Sequence, residues 1–66
     1  MTIDEVEAEV ERIRAMAGDD EAAHSAEDDL WEKVLHTIAS GYGDKPSSLA
    51  LAALKTKDIA FQRWCA

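Results

Sequence analysis

Asp19 to Asp29, DDEAAHSAEDD, concentrates the chemistry this chain could do: seven of its eleven residues are Asp, Glu or His, the side chains that ligate metals through oxygen and nitrogen. Two pairs have helical spacing, Glu21-x-x-His24 and Glu32-x-x-x-His36. A Glu and a His three or four residues apart share one helical face, which is half of the arrangement used by di-iron bundles. A complete site of that kind needs two such motifs and two further inward glutamates from neighbouring helices, and His24 lies before the expected cap of the second helix. The expectation is therefore no metal and no cofactor. Catalysis has equally little support. There is no Ser/His/Asp constellation and no glycine-rich phosphate loop, and the single cysteine, Cys65, is penultimate with no base or oxyanion hole to be inferred beside it. A small helical domain also seldom encloses the ~300 Å³ or more that substrates need. The expectation is a protein that is not an enzyme.

The acids have a structural explanation in the helices they border. TIDEVEAEVERIRAMAG reads as an amphipathic helix over residues 3–17, with Ile3, Val6, Val10 and Ile13 in one narrow stripe at spacings of three and four. Thr2 with Glu5 forms a capping box, Gly18 is a stop signal, and early acids with late arginines suit the helix dipole. Isolated helices shorter than ~12–15 residues are marginal in water, so the stripe has to dock. Its alternatives are the chain's own core, a seam between two copies centred on Val10, or a free surface kept for a foreign partner. Ser25 followed by Asp28 resembles a second capping box, and Leu30, Trp31, Val34, Leu35 and Ile38 run at helical spacing to Gly41. That pattern predicts a second helix over 26–40, with an earlier start near Asp20 as the alternative. SGYGDKPSS is a loop with proline at the first turn of a third helix over 47–55. Residues 57–66 form an apolar tail, either a short helix from about Thr56 or an extended segment through Ile59 and Phe61.

The fold expected is thus all-α, one small three-helix domain over 1–66. A chain of 66 residues buries only about 60% of its unfolded surface. One cysteine allows no internal disulfide, no apolar run approaches a membrane span, and MTIDEVEAEV lacks the basic and apolar regions of a secretory leader. A cytoplasmic protein without membrane association is expected.

Charge is lopsided. Residues 1–32 hold twelve of the fourteen acids against Arg12 and Arg14, a charge of −10; residues 33–66 carry +3, which makes the total −7. Such a surface repels phosphate backbones and anionic membranes. A helix-turn-helix layout is present in outline, with Ala39 at the approach of two helices, Gly43 at the turn, and Leu49 and Ala52 facing inward. Asp44 stands where an apolar turn residue is usual, and the recognition helix would offer Ser47, Ser48, Lys55 and Lys57 without an early Arg, Asn or Gln to read bases.

HSAEDDLWEKVLHTIASG and ALKTKDIAFQRWCA resemble recurrent segments of small acidic uncharacterised proteins of actinobacteria and their phages. The resemblance covers most residues after His24 and implies no catalytic residue, since that group has no assigned activity. It implies an accessory protein that binds a host or phage protein. The leading expectation is accordingly a protein–protein interaction module. Its contact residues would be the acidic face Glu5, Glu7, Glu9 and Glu11 and the aromatic residues Trp31, Tyr42 and Trp64. A homodimer through Ile3, Val6, Val10 and Ile13 is a further partner. The alternatives in other classes are a helix-turn-helix DNA-binding regulator and an acidic nucleic-acid mimic that inhibits a DNA-handling protein.

Overall fold

Helix α1 spans Ile3–Ala15 and begins as its sequence dictates. Thr2 Oγ1 accepts from the Glu5 amide at 3.2 Å while Glu5 Oε1 accepts from the Thr2 amide at 2.8 Å, so two otherwise unpaired donors are satisfied reciprocally. The helix stops before the predicted Ala17. Its end tightens into three-residue turns, Met16 N–H to Ile13 O and Ala17 N–H to Arg14 O, and Gly18 does not act as a left-handed cap.

Helix α2 spans Asp20–Ser40, so its start corrects the predicted 26 in favour of the earlier alternative. Asp19 is the cap, its Oδ1 accepting from the Ala22 amide at 3.1 Å, and Ser25 lies exposed one turn inside the helix. The reason is packing. Ala23 and Ala26 are both buried against the core, and they can reach it only from a helix that is already formed at Asp20. The far end follows expectation, with Gly41 at φ +78° closing the helix by donating to Ile38 O.

Helix α3 spans Pro46–Leu54 with proline in its first turn, and it runs on into a 3-10 turn at Lys55–Asp58. Residues 59–63 have no helical structure; the extended alternative for the tail holds for them. The computed structural model describes residues 1–63, and Trp64 lies outside the described residues. Among them there is no strand, and no helix is long and apolar enough to cross a membrane.

All three helices touch one another around a single core. Val6 (0% exposed), Val10 (2%) and Ile13 (0%) from α1 meet Leu30 and Val34 from α2, Leu49 from α3 and Ile59 from the tail. Alanines at 23, 26, 52 and 53 let the backbones approach. The seam expected between copies is therefore not available in this fold. Its stripe is covered by the chain's own helices, and only Ile3 remains half-buried at the margin.

The α2–α3 loop is pinned to the start of α1. Asp44 Oδ2 accepts from the Ile3 amide at 2.7 Å, and the Met1 amine donates to Thr37 Oγ1 at 3.3 Å. Gly43 sits at φ +95°, and a Cβ there would fall 2.7 Å from both Met1 O and Thr37 Cγ2. Only glycine fits that crossing.

The two candidate caps of α2 make a direct test. Asp19→Ala is expected to cost about 0.5–2 kcal/mol and Ser25→Ala less than about 0.5 kcal/mol in urea denaturation. The reverse order would return the helix start to residue 26.

Candidate functional site

Between the outward faces of α2 and α3 lies an open groove of about 190 Å³ lined by Trp31, Val34, Leu35 and Ile38 on one side and Ala50, Ala53 and Leu54 on the other. The spacing of three and four on each helix puts these side chains in facing rows. Small Ala50 and Ala53 stand opposite the larger α2 residues, and the size mismatch leaves a trough. Its lips are the exposed Leu35 (66%) and Leu54 (52%), and Leu51 (67%) continues the apolar surface on α3.

Trp31 forms the floor. Its indole Nε1 donates to Thr56 Oγ1 at 3.1 Å and to Ala53 O at 3.3 Å, so its one polar atom is satisfied and the ring is held in one orientation. Lys57 Nζ lies 6.0 Å from the ring centroid. The groove is smaller than the ~300 Å³ at which small-molecule sites begin, and nothing in its lining is an acid, base or nucleophile. It suits apolar side chains presented by another surface.

Thr56 links that floor to a buried ion pair. Glu27 is 3% exposed and receives both Arg63 Nε (2.8 Å, to Oε1) and Arg63 Nη2 (3.0 Å, to Oε2). The guanidinium also donates to Thr56 O at 2.7 Å and to Ile59 O at 3.2 Å, and it stacks 3.8 Å from the centroid of the Phe61 ring. Asp20 Oδ1 accepts from the Gln62 amide at 3.1 Å. One arginine thus gathers the carbonyls of the turn and tail and fastens them to α2. Burial raises the Glu27 pKa, but the hydrogen bonds and charge of Arg63, with the charge of Lys57, outweigh it and hold the carboxyl below its ordinary value of 4.5. The hydrogen bonds that Arg63 donates to Glu27 in turn raise the Arg63 pKa above its ordinary value.

The sequence-predicted contact residues are dispersed. Tyr42 is exposed (81%), whereas Trp31 is half-buried and belongs to the groove floor. The four glutamates do not form one acidic face. At 100° per residue, Glu5 and Glu9 form one row, and Glu7 and Glu11 form another some 200° round from it, with the buried stripe between them. All four are engaged: Glu5 in the cap, Glu9 with Arg12 at 2.9 Å, Glu11 with Arg14 at 3.3 Å, and Glu7 with Lys55 at 3.7 Å. The metal-like pairs are also placed apart. His24 lies within α2 and meets Asp28 at 3.6 Å, His36 meets Glu32 at 3.9 Å, and Glu21 joins neither. Among the described residues no three Asp, Glu, His or Cys side chains converge. Of the helix-turn-helix positions, Leu49 and Ala52 face inward, but Ala39 is exposed and Asp44 serves the start of α1.

Glu27, Arg63 and Leu51 were missed from sequence. For the pair a signal existed: Glu27 falls in the core row Ala23, Glu27, Leu30, Val34, and Arg63 is the only arginine after Arg14. A lone acid in an apolar row requires a cation.

No family model, no curated protein and no solved structure matches the chain.

The ion pair has a pH signature. A depressed carboxyl contributes stability that is complete above its unfolded value of 4.5 and is lost as pH falls through the lower folded value. Arg63→Met leaves Glu27 buried and uncompensated. Its expected cost at about pH 7 is near 3 kcal/mol, the low end for broken buried pairs because the guanidinium side is 23% exposed. As pH falls through the depressed folded value the protonated carboxyl no longer needs a partner, and the gap between wild type and variant in urea melts should narrow to what the lost carbonyl contacts leave. A gap independent of pH would remove the pair from this role.

Proposed function

We propose that this protein is a non-enzymatic protein–protein interaction module that receives a helix of another protein in the groove between α2 and α3. The observation that carries this reading is the groove itself, with two exposed leucines on its lips, a third exposed leucine beside it on α3, and a tryptophan fixed in its floor. Exposed apolar surface of this kind, rimmed by polar residues, marks interaction sites on small soluble domains. Two rows of apolar side chains with a trough between them match the i, i+3, i+4, i+7 anchors of an amphipathic helix. The lining offers contact without a reacting group, so binding is the work assigned to it. An accessory role among actinobacterial or phage proteins fits the resemblance of residues 24–41 and 53–66.

A partner other than a second copy is favoured by charge. Two chains at −7 each repel on approach, and neither brings a basic helix to the other's groove.

Leu51→Lys with Leu54→Lys tests the site. Both positions are exposed, lysine is a good helix former, and a cation near the end of α3 suits the dipole, so the melting temperature should fall by no more than a few degrees. Captures from lysate of the source cells are compared between wild type and this double variant. A partner retained by wild type and lost from the folded variant is the expected result. The same proteins on both baits would rule out the groove. A wild-type dimer in sedimentation that the variant dissociates would assign the groove to a second copy.

A further inference from the structure

We infer that the helix taken by the groove is basic, with lysines or arginines flanking its apolar stripe. The inference rests on the reading of the groove as a helix-binding site and adds the chemistry of the occupant. On α2, Asp28, Glu32, Leu35 and Ala39 fall at i, i+4, i+7 and i+11, one row along the outer wall of the groove. All four are exposed, and the two carboxylates lead directly into the leucine that forms the lip. Their described partners are weak: His24 stands 3.6 Å from Asp28, and His36 stands 3.9 Å from Glu32.

The cations nearby are directed elsewhere or held in place. Lys55 pairs with Glu7 on the α1 side, and Lys33 lies two positions from Leu35, about 200° round α2. Lys57 lies over the Trp31 ring at the end of the groove, next to exposed Asp58. The apolar lining supplies contact area with no preference of sign. The rim carboxylates, set in a chain of −7, supply that preference, and charges placed around an interface govern encounter rate and partner choice more than bulk affinity.

Trp31 provides the readout. With Trp64→Phe as the background it is the sole indole, and its ring is the groove floor. The probes are two synthetic amphipathic helices with identical leucines, one with lysine and one with glutamate at every other position. Titration at low salt is expected to shift Trp31 emission to the blue with saturation, and the Leu/Lys peptide should bind about tenfold more tightly than the Leu/Glu peptide, from two rim carboxylates. Asp28→Asn with Glu32→Gln should bring the two peptides within about threefold of each other. Leu51→Lys with Leu54→Lys should abolish the shift.

Equal affinity for both peptides, or preference for Leu/Glu, overturns the inference and leaves the groove reading in place. Leu/Lys binding that survives the leucine changes shows adsorption to acidic surface and also overturns it. No shift with either peptide, when the capture experiment has yielded a groove-dependent partner, excludes a basic helix while the interaction module stands. A shift with phosphatidylcholine vesicles and none with either peptide would give the groove to a lipid surface.

Discussion

Three short helices share one small core, and the stripe of α1 is what closes it. Val6, Val10 and Ile13 are buried to within 2% by α2, α3 and the tail, and no helix of this length holds its shape without such cover. Everything outside follows from that closure. The stripe is spent on the interior, so it cannot also join two copies. Once α2 and α3 have both turned toward α1, their remaining apolar residues face outward on the opposite side. The groove is what the core leaves over. Alanine at 50 and 53 was small enough to let the helices approach, but too small to fill the space beside Leu35 and Ile38.

The tail is fixed by different physics. Ile59 adds apolar burial, but the specific lock is Arg63, whose guanidinium satisfies the Glu27 carboxylate and three backbone carbonyls of the turn and tail. A buried ion pair is weak evidence for net stability, since desolvation offsets much of the Coulomb gain. Its contribution here is positional. Arg63 holds the Thr56 backbone, the Thr56 hydroxyl accepts from Trp31, and Trp31 makes the floor of the groove. Glu27 and Trp31 stand four residues apart on one face of α2, so the charge pair sets the orientation of an aromatic ring one turn further along the same face.

Local chemistry was legible in the sequence where the signal and its partner are neighbours. The Thr2–Glu5 box, the Gly41 stop and Pro46 in the first turn of α3 each involve contacts within a few residues, and each is present. The start of α2 was ambiguous because Asp19 and Ser25 are both sound caps, and only the burial of Ala23 and Ala26, a tertiary effect, decides between them. Asp44 capping α1 from 41 positions away and Arg63 reaching Glu27 across 36 have no local signature. The glutamates were misread for a geometric reason: alternate positions place them on two flanks of the helix, not one. The groove was hidden for a similar one. Leu35, Leu51 and Leu54 belong to the same apolar pattern as the core, and periodicity alone does not say which side of a stripe stays wet.

Three exposed leucines on 66 residues would ordinarily invite self-association, and the charge of the chain answers that hazard. At −7, copies carry a mutual repulsion that opposes their association, so the acids of α1 and of the first half of α2 do more than cap helices. The same field has a second consequence. A cationic surface is drawn toward the molecule from a distance of about one Debye length, ~8–10 Å at ordinary ionic strength, where the apolar groove exerts no pull at all. On the proposed helix-binding reading, approach would be governed by the sign of the charge and residence by the fit of the leucines. Separating the two across different residues would let an open, shallow groove discriminate among partners that all present the same apolar stripe.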